Sequence, residues 1–441
     1  MTRKMKDSGV AWIGEIPEGW SVLPFYALLD KRSDAIADGP FGSDMKNEEY
    51  VAEGVPIIQL GSIRETGMDF SKTHYITPQK ADILKRHNAY PQNIVIAKMM
   101  PAGKACEIPD TFDRYVISAD VIRAYISDRC TRKFIVYALN SYATTQALFE
   151  SQGSTRARVN ISNVKHFKIV FPSSSTYVEN ILINLDTRCA KIDAIIAQTR
   201  ETLDEYKKLK GSIITEAVTK GIRPGRTMKD SGIEWIGEIP EEWSVSKLKY
   251  VAAFEPSCDF AHLNEDAEVT YAPMDCVKNG YYIAQSAPLN KLSPTLTHFQ
   301  ENDIVMAKVT PCFENGNIAI MTGLTSGVGL GSSELFVFRA TQIQNKYLFY
   351  WLQNSAFIEI AKSTMTGTGG LKRVSSQFVR NCYIHLPPLA EQHAIADYLD
   401  TRCAKIDALI AQKEQLIAEL ETYKKSLIYE YVTGKKEAPA L

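Results

Sequence analysis

The feature that most constrains the fold of this chain is a long amphipathic helix pattern that occurs twice. The segment LDTRCAKIDAIIAQ, residues 185–198, returns as LDTRCAKIDALIAQ, residues 399–412, with thirteen of fourteen positions identical. Apolar residues recur in alternating steps of four and three, which is the heptad spacing of a coiled-coil seam. The predicted seam comprises Leu185, Cys189, Ile192, Ile196, Leu203 and Tyr206 in the first helix, and Leu399, Cys403, Ile406, Ile410, Ile417 and Leu420 in the second.

Each seam would be exposed on an isolated helix, so the most economical partner for one copy is the other. Ordinary packing of each helix on its own domain is the alternative. One polar seam position holds Lys210 in the first helix and Lys424 in the second. A parallel pair would stack these two lysines, whereas an antiparallel pair sets each against an isoleucine, Ile406 or Ile192. The sequence therefore favours an antiparallel pair.

A second repeat indicates that the whole chain is a tandem duplication. The segment MKDSGVAWIGEIPEGWSV, residues 5–22, matches MKDSGIEWIGEIPEEWSV, residues 228–245, at fifteen of eighteen positions. A repeat period above two hundred residues indicates a duplicated domain rather than a solenoid. The expected boundaries are 1–173 for a first domain, 174–221 for the first long helix, 222–227 for a linker, 228–388 for a second domain, 389–434 for the second long helix and 435–441 for a tail.

The two middle segments diverge in sequence but share an order of predicted elements. The strands IVIAK, residues 94–98, and IVMAK, residues 304–308, align with each other. We predict one strand over residues 116–126 and one helix over residues 346–362. The glycine run at positions 327, 329 and 331 lacks the third glycine of a dinucleotide fingerprint and is interpreted as a flexible loop.

Composition and missing motifs exclude several classes of protein. A hydrophobic content of 45% and a charged content of 23% are typical of soluble globular proteins, and no apolar run is long enough for a membrane span. The eight cysteines lack metal-ligand spacing and are interpreted as free thiols in a reducing cytoplasm, so no metal site is predicted. No phosphate-binding glycine loop, methyltransferase tetrapeptide or catalytic constellation is present, so no catalytic residue is predicted.

Binding rather than catalysis is the remaining class of function. The middle segment of each repeat carries a flexible, basic, hydroxyl-rich loop before its last strand. Such side chains suit phosphate positioning and hydrogen bonding to base edges, although a merely structural loop is the alternative. The turn GPFGSDMK and the lysines that end the two aligned strands supply further candidates. The predicted DNA contacts are Phe41, Lys46, Lys98, Ser154, Thr155, Arg156, Arg158 and Asn160 in the first copy, and Lys308, Thr366, Thr368, Lys372, Arg373 and Ser375 in the second.

These features together resemble the specificity subunit of type I restriction–modification systems. The resemblance covers almost the whole chain and rests on the WIGEIPExW heads, on GPFGSDMK followed by GVPIIQLGSI, on the IVIAK and IVMAK strands, and on the helix ends YKKLKGSIITEAVTKG and YKKSLIYEYVTGKK. It implies an α/β fold: two tandem target recognition domains separated by two long helices, packed as an antiparallel coiled coil with pseudo-two-fold symmetry. It further implies a non-catalytic chain that reads a bipartite, asymmetric site in double-stranded DNA.

The resemblance also implies partners. Two methyltransferase subunits would dock on the chain, and ATP-driven restriction subunits would join them. S-adenosylmethionine, ATP and Mg are expected on those partners, and no cofactor is expected on this chain. Candidate partner anchors in the heads are Trp12, Ile13, Trp235 and Ile236, for which structural packing within each domain is the alternative. A DNA-binding scaffold without a methyltransferase and an enzyme with an unrecognised site remain competing hypotheses.

Overall fold

The two segments predicted as long helices form continuous helices, Ser175–Lys220 and Leu389–Val432. The computed structural model describes residues 3–64, 67–150, 157–368 and 370–439, with Glu150 described by its backbone alone. The chain divides into unit 1, Met1–Gln198 with Leu416–Leu441, and unit 2, Thr199–Gln415. Each unit therefore contains part of both long helices.

The pairing of the long helices is antiparallel within each unit, as predicted. In unit 1, Lys424 Nζ donates to both carboxylate oxygens of Asp193 at 2.7 Å. In unit 2, Lys210 Nζ donates to both carboxylate oxygens of Asp407 at 2.8 Å. These aspartates directly follow the isoleucines predicted to face the lysines. A lysine is tolerated in the seam because the residue after the facing isoleucine supplies a carboxylate.

The seam residues pack into the cores of the two units. Leu185, Cys189, Ile192 and Ile196 lie in the unit 1 core together with Leu427 and Tyr431. Leu399 and Cys403 lie in the unit 2 core together with Ile214 and Val218. Leu203 and Ile406 are also buried, whereas Tyr206, Ile410, Ile417 and Leu420 are half-buried.

The middle of each unit contains two four-stranded sheets whose strand order is the same in both units. The first sheet is antiparallel, and the second contains one parallel pair at its centre. In spatial order, the first sheet of unit 1 consists of Ala105–Glu107, Ile94–Ala97, Val121–Ala124 and Ile36–Asp38. The second sheet of unit 1 consists of Tyr75–Ile76, Val55–Ile58, Tyr115–Ile117 and Asn88–Ala89. The first sheet of unit 2 consists of Ile318–Ile320, Ile304–Ala307, Leu335–Ala340 and Ala252–Phe254. The second sheet of unit 2 consists of Ser286–Pro288, Glu268–Ala272, Val328–Gly331 and Thr297–Gln300.

Shorter elements connect these sheets to the heads and the long helices. Two-stranded pairs are Met5–Asp7 with Glu15–Pro17, Ser21–Pro24 with Lys168–Phe171, Ile63–Arg64 with Gly67–Met68, Met228–Asp230 with Glu238–Pro240, and Ser244–Lys247 with Tyr383–Leu386. The shorter α-helices are Pro78–Ile83, Arg129–Glu150 and Ile161–His166 in unit 1, and Leu248–Val251, Asn345–Trp351, Ser355–Ser363 and Ser376–Asn381 in unit 2. Single 3-10 turns are Phe25–Leu28, Asn47–Glu49, Leu60–Ser62, Lys85–His87, Met274–Cys276, Leu289–Lys291 and Thr325–Gly327. The α/β class with a duplicated domain and antiparallel long helices is thus confirmed.

The interpretation of the glycine run as a flexible loop is wrong. Residues Val328–Gly331 form a buried strand between two neighbours of the second sheet in unit 2. A Cβ atom on Gly329 would lie 2.3 Å from the ring of Phe299, and one on Gly331 would lie 2.8 Å from the carbonyl oxygen of Ala272. Glycine is required here because the ring and the neighbouring backbone approach the strand closely.

Two predicted elements are each split in the structure. Residues 116–126 form two strands that belong to different sheets, Tyr115–Ile117 and Val121–Ala124, because the chain turns at residues 118–120. Residues 346–362 form two helices, because the buried Asn354 accepts a hydrogen bond from Phe357 N at 2.9 Å and caps the second helix. Asparagine favours such capping positions over helix interiors. Within the described chain, no helix is long and apolar enough to cross a membrane.

Candidate nucleic-acid interface

The basic loop of unit 1 is joined to the end of the strand that contains IVIAK. Val159 N donates to Lys98 O at 2.9 Å, and Lys98 N donates to Asp120 O at 2.9 Å. The lysine backbone therefore connects the loop to the turn at residues 118–120. Of the predicted loop contacts, Ser154, Thr155 and Arg156 lie outside the described residues, whereas Arg158 and Asn160 lie within them and are exposed.

Three charged side chains meet at this strand end and form cluster 1: Lys98, Asp120 and Arg158. Arg158 Nη2 donates to Asp120 Oδ1 at 2.9 Å. Lys98 Nζ donates to Ala119 O at 2.6 Å and lies 3.7 Å from a carboxylate oxygen of Asp38. Burial lowers the pKa of Lys98, whose side chain is 12% exposed. Arg158, at 62% exposure, presents most of the accessible positive charge of this cluster.

Unit 2 repeats this arrangement in cluster 2: Lys308, Glu334 and Arg373. Val374 N donates to Lys308 O and Lys308 N donates to Glu334 O, both at 2.9 Å. Arg373 forms a bidentate ion pair with Glu334, in which Nε donates to Oε2 at 2.9 Å and Nη2 donates to Oε1 at 2.7 Å. Lys308 Nζ lies 5.6 Å from the ring centroid of Phe336. The same charge types therefore occupy the same positions in both units.

The loop of unit 2 is a hydrogen-bonded hairpin, so the prediction of a flexible loop is wrong for its described part. Thr366 and Arg373 exchange backbone hydrogen bonds of 3.0 and 2.8 Å. Thr310 Oγ1 donates to Gly370 O at 2.7 Å and accepts from Lys372 N at 2.9 Å. These bonds fix the hairpin on the end of the strand Ile304–Ala307. The side chains of Thr366, Thr368, Lys372 and Arg373 are exposed.

Two of the predicted DNA contacts are helix caps. Asn160 Oδ1 accepts from Asn163 N at 2.9 Å and caps the helix Ile161–His166. Ser375 Oγ accepts from Phe378 N at 3.3 Å and caps the helix Ser376–Asn381. Each cap lies two residues after the arginine of its loop, so it fixes the point at which the loop returns to the domain.

The turn that carries Phe41 lies next to cluster 1. A Cβ atom on Gly39 would lie 1.9 Å from Ser118 O, so only glycine allows the turn to approach residues 118–120. Phe41 is 79% exposed and lines a cavity of about 340 Å³ together with Tyr50, Gln59 and Asp120. Lys46 is also exposed. Phe41 and Arg158 are therefore brought to the same region through their shared neighbour Asp120.

The candidate partner anchors in the heads take part in packing within each unit. Ile13 is buried, and Trp12 stacks on Phe149 with ring centroids 4.8 Å apart. Trp235 meets Trp351 edge to face at 6.4 Å, and Ile236 is packed against the same core. Trp12, Trp235 and Ile236 remain half-buried, so each head retains some accessible apolar surface.

Sequence reasoning missed the two acidic residues, Asp120 and Glu334. Acidic side chains are not expected among phosphate contacts, so a search for basic loops passes over them. A signal was nevertheless present, because Ser118-Ala-Asp120 and Ser332-Ser-Glu334 both directly precede a strand that ends in Arg-Ala. Among the described residues, no group of three His, Cys, Asp or Glu side chains is arranged to hold a metal ion.

Comparisons with known proteins identify chains that are similar to this one. Residues 240–422 match the type I restriction modification DNA specificity domain. The EcoEI specificity subunit of Escherichia coli is 33% identical over 163 residues, which are 36% of this chain and 27% of that protein. The putative MjaX specificity subunit of Methanocaldococcus jannaschii is 23% identical over 96% of this chain and 95% of its own length. The chain is therefore similar to type I restriction–modification specificity subunits, and the family model covers residues 240–422.

The residues that match the family model lie in the second repeat of the chain. The internal duplication relates residues 5–22 to 228–245, and the middle of the first unit has the same strand order as the matched part of the chain. A chain from a solved structure that addresses complex assembly and conformational transition of the type I R–M system has a TM-score of 0.66 and 16% identity, over 96% of this chain and 99% of that one. That likeness concerns the fold.

Proposed function

We propose that this chain is the non-catalytic DNA-recognition subunit of a type I restriction–modification complex. In this proposal residues 1–173 and 228–388 are target recognition domains, and each reads one half of a bipartite site in double-stranded DNA. The observation that carries the proposal is the recurrence of one cationic framework, clusters 1 and 2, at the same place in two domains of the same fold.

The arrangement around the clusters suits the two tasks of a DNA-reading surface. Arginines on fixed backbone can position the protein on phosphates, while variable neighbouring side chains read base edges. In unit 1 those neighbours are Phe41 and Lys46, and the GPFGSDMK turn that carries them has no counterpart in unit 2. In unit 2 they are Thr366, Thr368 and Lys372 of the hairpin. Since the neighbours differ, the two half-sites should differ in sequence.

Partners follow from the same proposal. Two methyltransferase subunits would dock on the chain, one for each repeat, because the heads and the helix segments 185–198 and 399–412 are nearly identical between the repeats. The net charge of −1 fits a subunit whose partners supply part of the phosphate contact. Restriction subunits would join that complex, with S-adenosylmethionine, ATP and Mg bound by the partners. The half-buried Trp12 and Trp235 are candidate anchors.

Methylome sequencing of the host with and without this gene tests the proposal. We expect one bipartite methyladenine motif to disappear on deletion. Exchange of residues 23–173 for the equivalent middle of another family member should change one half-site and leave the other unchanged. An unchanged methylome, together with failure to copurify a methyltransferase, would favour a DNA-binding scaffold that serves no methyltransferase.

A further inference from the structure

An acidic side chain beside each exposed arginine calls for a physical explanation on a surface proposed to bind DNA. A carboxylate repels phosphate, so an incidental acid would weaken binding. Yet Asp120 and Glu334 occupy equivalent positions in two domains whose surfaces otherwise diverge. Both are 28–36% exposed, so solvent screens their charge only in part.

The acids are fixed by the backbone, whereas the arginines belong to the loops. Asp120 and Glu334 each accept a hydrogen bond on the carbonyl oxygen from the lysine that ends the neighbouring strand. Glu334 is held further by the bond from its own backbone N to Ser332 Oγ at 3.2 Å. Hydrogen bonding from Arg373 holds the pKa of Glu334 below its ordinary value, so this carboxylate is charged at neutral pH. Each acid is therefore a fixed, charged point on the domain against which a loop arginine is held.

Each ion pair leaves part of the guanidinium available. Arg158 uses Nη2 and Arg373 uses Nε and Nη2 in these pairs. A guanidinium has five N–H donors in a planar fork. Within the described residues, Nη1 of Arg158 and Nη1 of Arg373 make no hydrogen bond. Both side chains are about half exposed. The N–H donors that the ion pair does not use can therefore bind a phosphate oxygen.

We propose that Asp120 and Glu334 are positioning residues for DNA binding, each of which holds its arginine in place with the free edge of the guanidinium presented to a phosphate. This inference rests on the proposed function. An arginine that is already ordered loses less conformational freedom when it binds, so preorganisation strengthens the contact. Repulsion between the acid and the phosphate opposes this gain. The two effects have opposite signs, so neutralising the acid distinguishes them.

The test uses the full chain coexpressed with the methyltransferase of its host system and a random-sequence DNA duplex as the probe. Asp120→Asn and Glu334→Gln should each weaken binding by about twofold to fivefold, the size expected for an exposed ion pair. Arg158→Ala and Arg373→Ala should weaken binding and reduce the slope of log K against log salt by about one. Asp120→Glu and Glu334→Asp should retain most of the binding because they keep the carboxylate.

A double-mutant cycle separates positioning from repulsion. In the Arg158→Ala background Asp120→Asn should no longer weaken binding, because only the relief of repulsion remains, and the same should hold for Glu334→Gln with Arg373→Ala. Glu314→Gln, which neutralises an exposed acid of unit 2, is the control for charge alone and should not weaken binding. Acid variants that bind as tightly as the wild type or tighter, or that weaken binding equally without the arginine, would overturn the inference.

The proposed function is tested by a different readout of the same samples. A wild-type complex that fails to prefer the methylated bipartite motif over the random duplex contradicts sequence recognition. Weakened binding of the random duplex by the acid variants supports positioning in either case, because phosphate contacts do not depend on sequence.

Discussion

The two units have the same sheets but are assembled differently from the chain. Unit 2 is one continuous stretch, Thr199–Gln415, whereas unit 1 combines Met1–Gln198 with Leu416–Leu441. In unit 1 the core is completed by Leu427 and Tyr431 from the second long helix, and in unit 2 by Ile214 and Val218 from the first. The duplicated fold therefore uses a second helix segment, and this segment need not come from the same repeat.

A second difference concerns the contact that fastens each head to the start of its long helix. In unit 2, Arg226 forms an ion pair with Glu391, and Glu391 also accepts from Trp243 Nε1 at 3.1 Å. In unit 1 the equivalent Arg3 donates to the hydroxyl of Tyr177 at 3.0 Å and lies over the rings of Tyr177 and Trp20. Arg226 also lies over the ring of Trp243, so both repeats have a cation–π contact with the tryptophan of the head. The difference is the partner on the long helix, a buried carboxylate in unit 2 and a tyrosine in unit 1.

The largest expected effect comes from deleting Leu416–Leu441. This removes three almost fully buried side chains of unit 1, Leu427, Tyr431 and Val432. Each such loss costs about 2–5 kcal/mol, so the total approaches the whole stability of a domain. Hydrogen exchange should show lost protection throughout unit 1 and retained protection in unit 2. Adding residues 416–441 as a separate peptide should restore protection, and equal loss in both units would contradict the division described here.

A smaller effect is expected from Glu391→Gln in unit 2. Arg226 and Glu391 are 9% and 6% exposed, and removal of one partner of a buried pair costs about 3–5 kcal/mol. The matched change in unit 1 is Tyr177→Phe, which removes a hydroxyl acceptor but keeps the ring under Arg3, and should cost about 1 kcal/mol. Urea titrations followed by hydrogen exchange in each unit measure both values. Similar losses of unfolding free energy in the two units would show that the buried charge pair does not stabilise unit 2 more than the Tyr177 hydroxyl stabilises unit 1.

A further effect depends on pH and on one buried histidine. Burial lowers the pKa of His385 to about 4, and its Nδ1 accepts from Trp351 Nε1 at 2.9 Å. The unfolded chain binds a proton below about pH 6.5 while the folded chain stays neutral, so the contribution is complete above pH 6.5 and is lost as pH falls towards 4. The loss should be about 1.4 kcal/mol per pH unit in that window. Unit 1 has Val170 at the equivalent strand position and should lack this term.

The variant His385→Val checks this assignment because it copies unit 1 into unit 2. Its urea midpoint at pH 5 should change less, relative to pH 7, than that of the wild type. Val170→His in unit 1 is the reverse control. If the pH dependence of unit 2 survived in His385→Val, another group would be responsible for it.

The sequence predicted what depends on periodicity and repetition. The antiparallel pairing followed from the charge of Lys210 and Lys424, because a like charge in a seam leaves few acceptable registers. The strand at Ile94–Ala97 followed from a short run of β-branched residues. Both signals are local or are repeated within the chain, so one sequence is enough to find them.

Features that depend on distant neighbours could not be predicted. The strand position of Gly329 requires glycine because the ring of Phe299 lies against it. In the sequence alone, a glycine suggests a loop. Asn354 ends a helix in the middle of an apolar run, where periodicity predicts continuation. Asp120 and Glu334 were missed because their role depends on which arginine the fold brings to them. In each case the decisive partner lies far away along the chain or acts against the local pattern.

The split construction of unit 1 has a consequence for synthesis on the ribosome. Protein chains emerge from the N-terminus, so the first repeat is complete in sequence long before its core can close. Leu427 and Tyr431 are made after residues 1–198 of the same unit, and until they emerge the apolar surface of unit 1 that they cover stays exposed. Unit 2 begins later in the chain, but all of its segments are available once Gln415 has been made. The N-terminal unit should therefore be the last to become resistant to protease during translation, and nascent chains stalled before Leu416 should depend on chaperones.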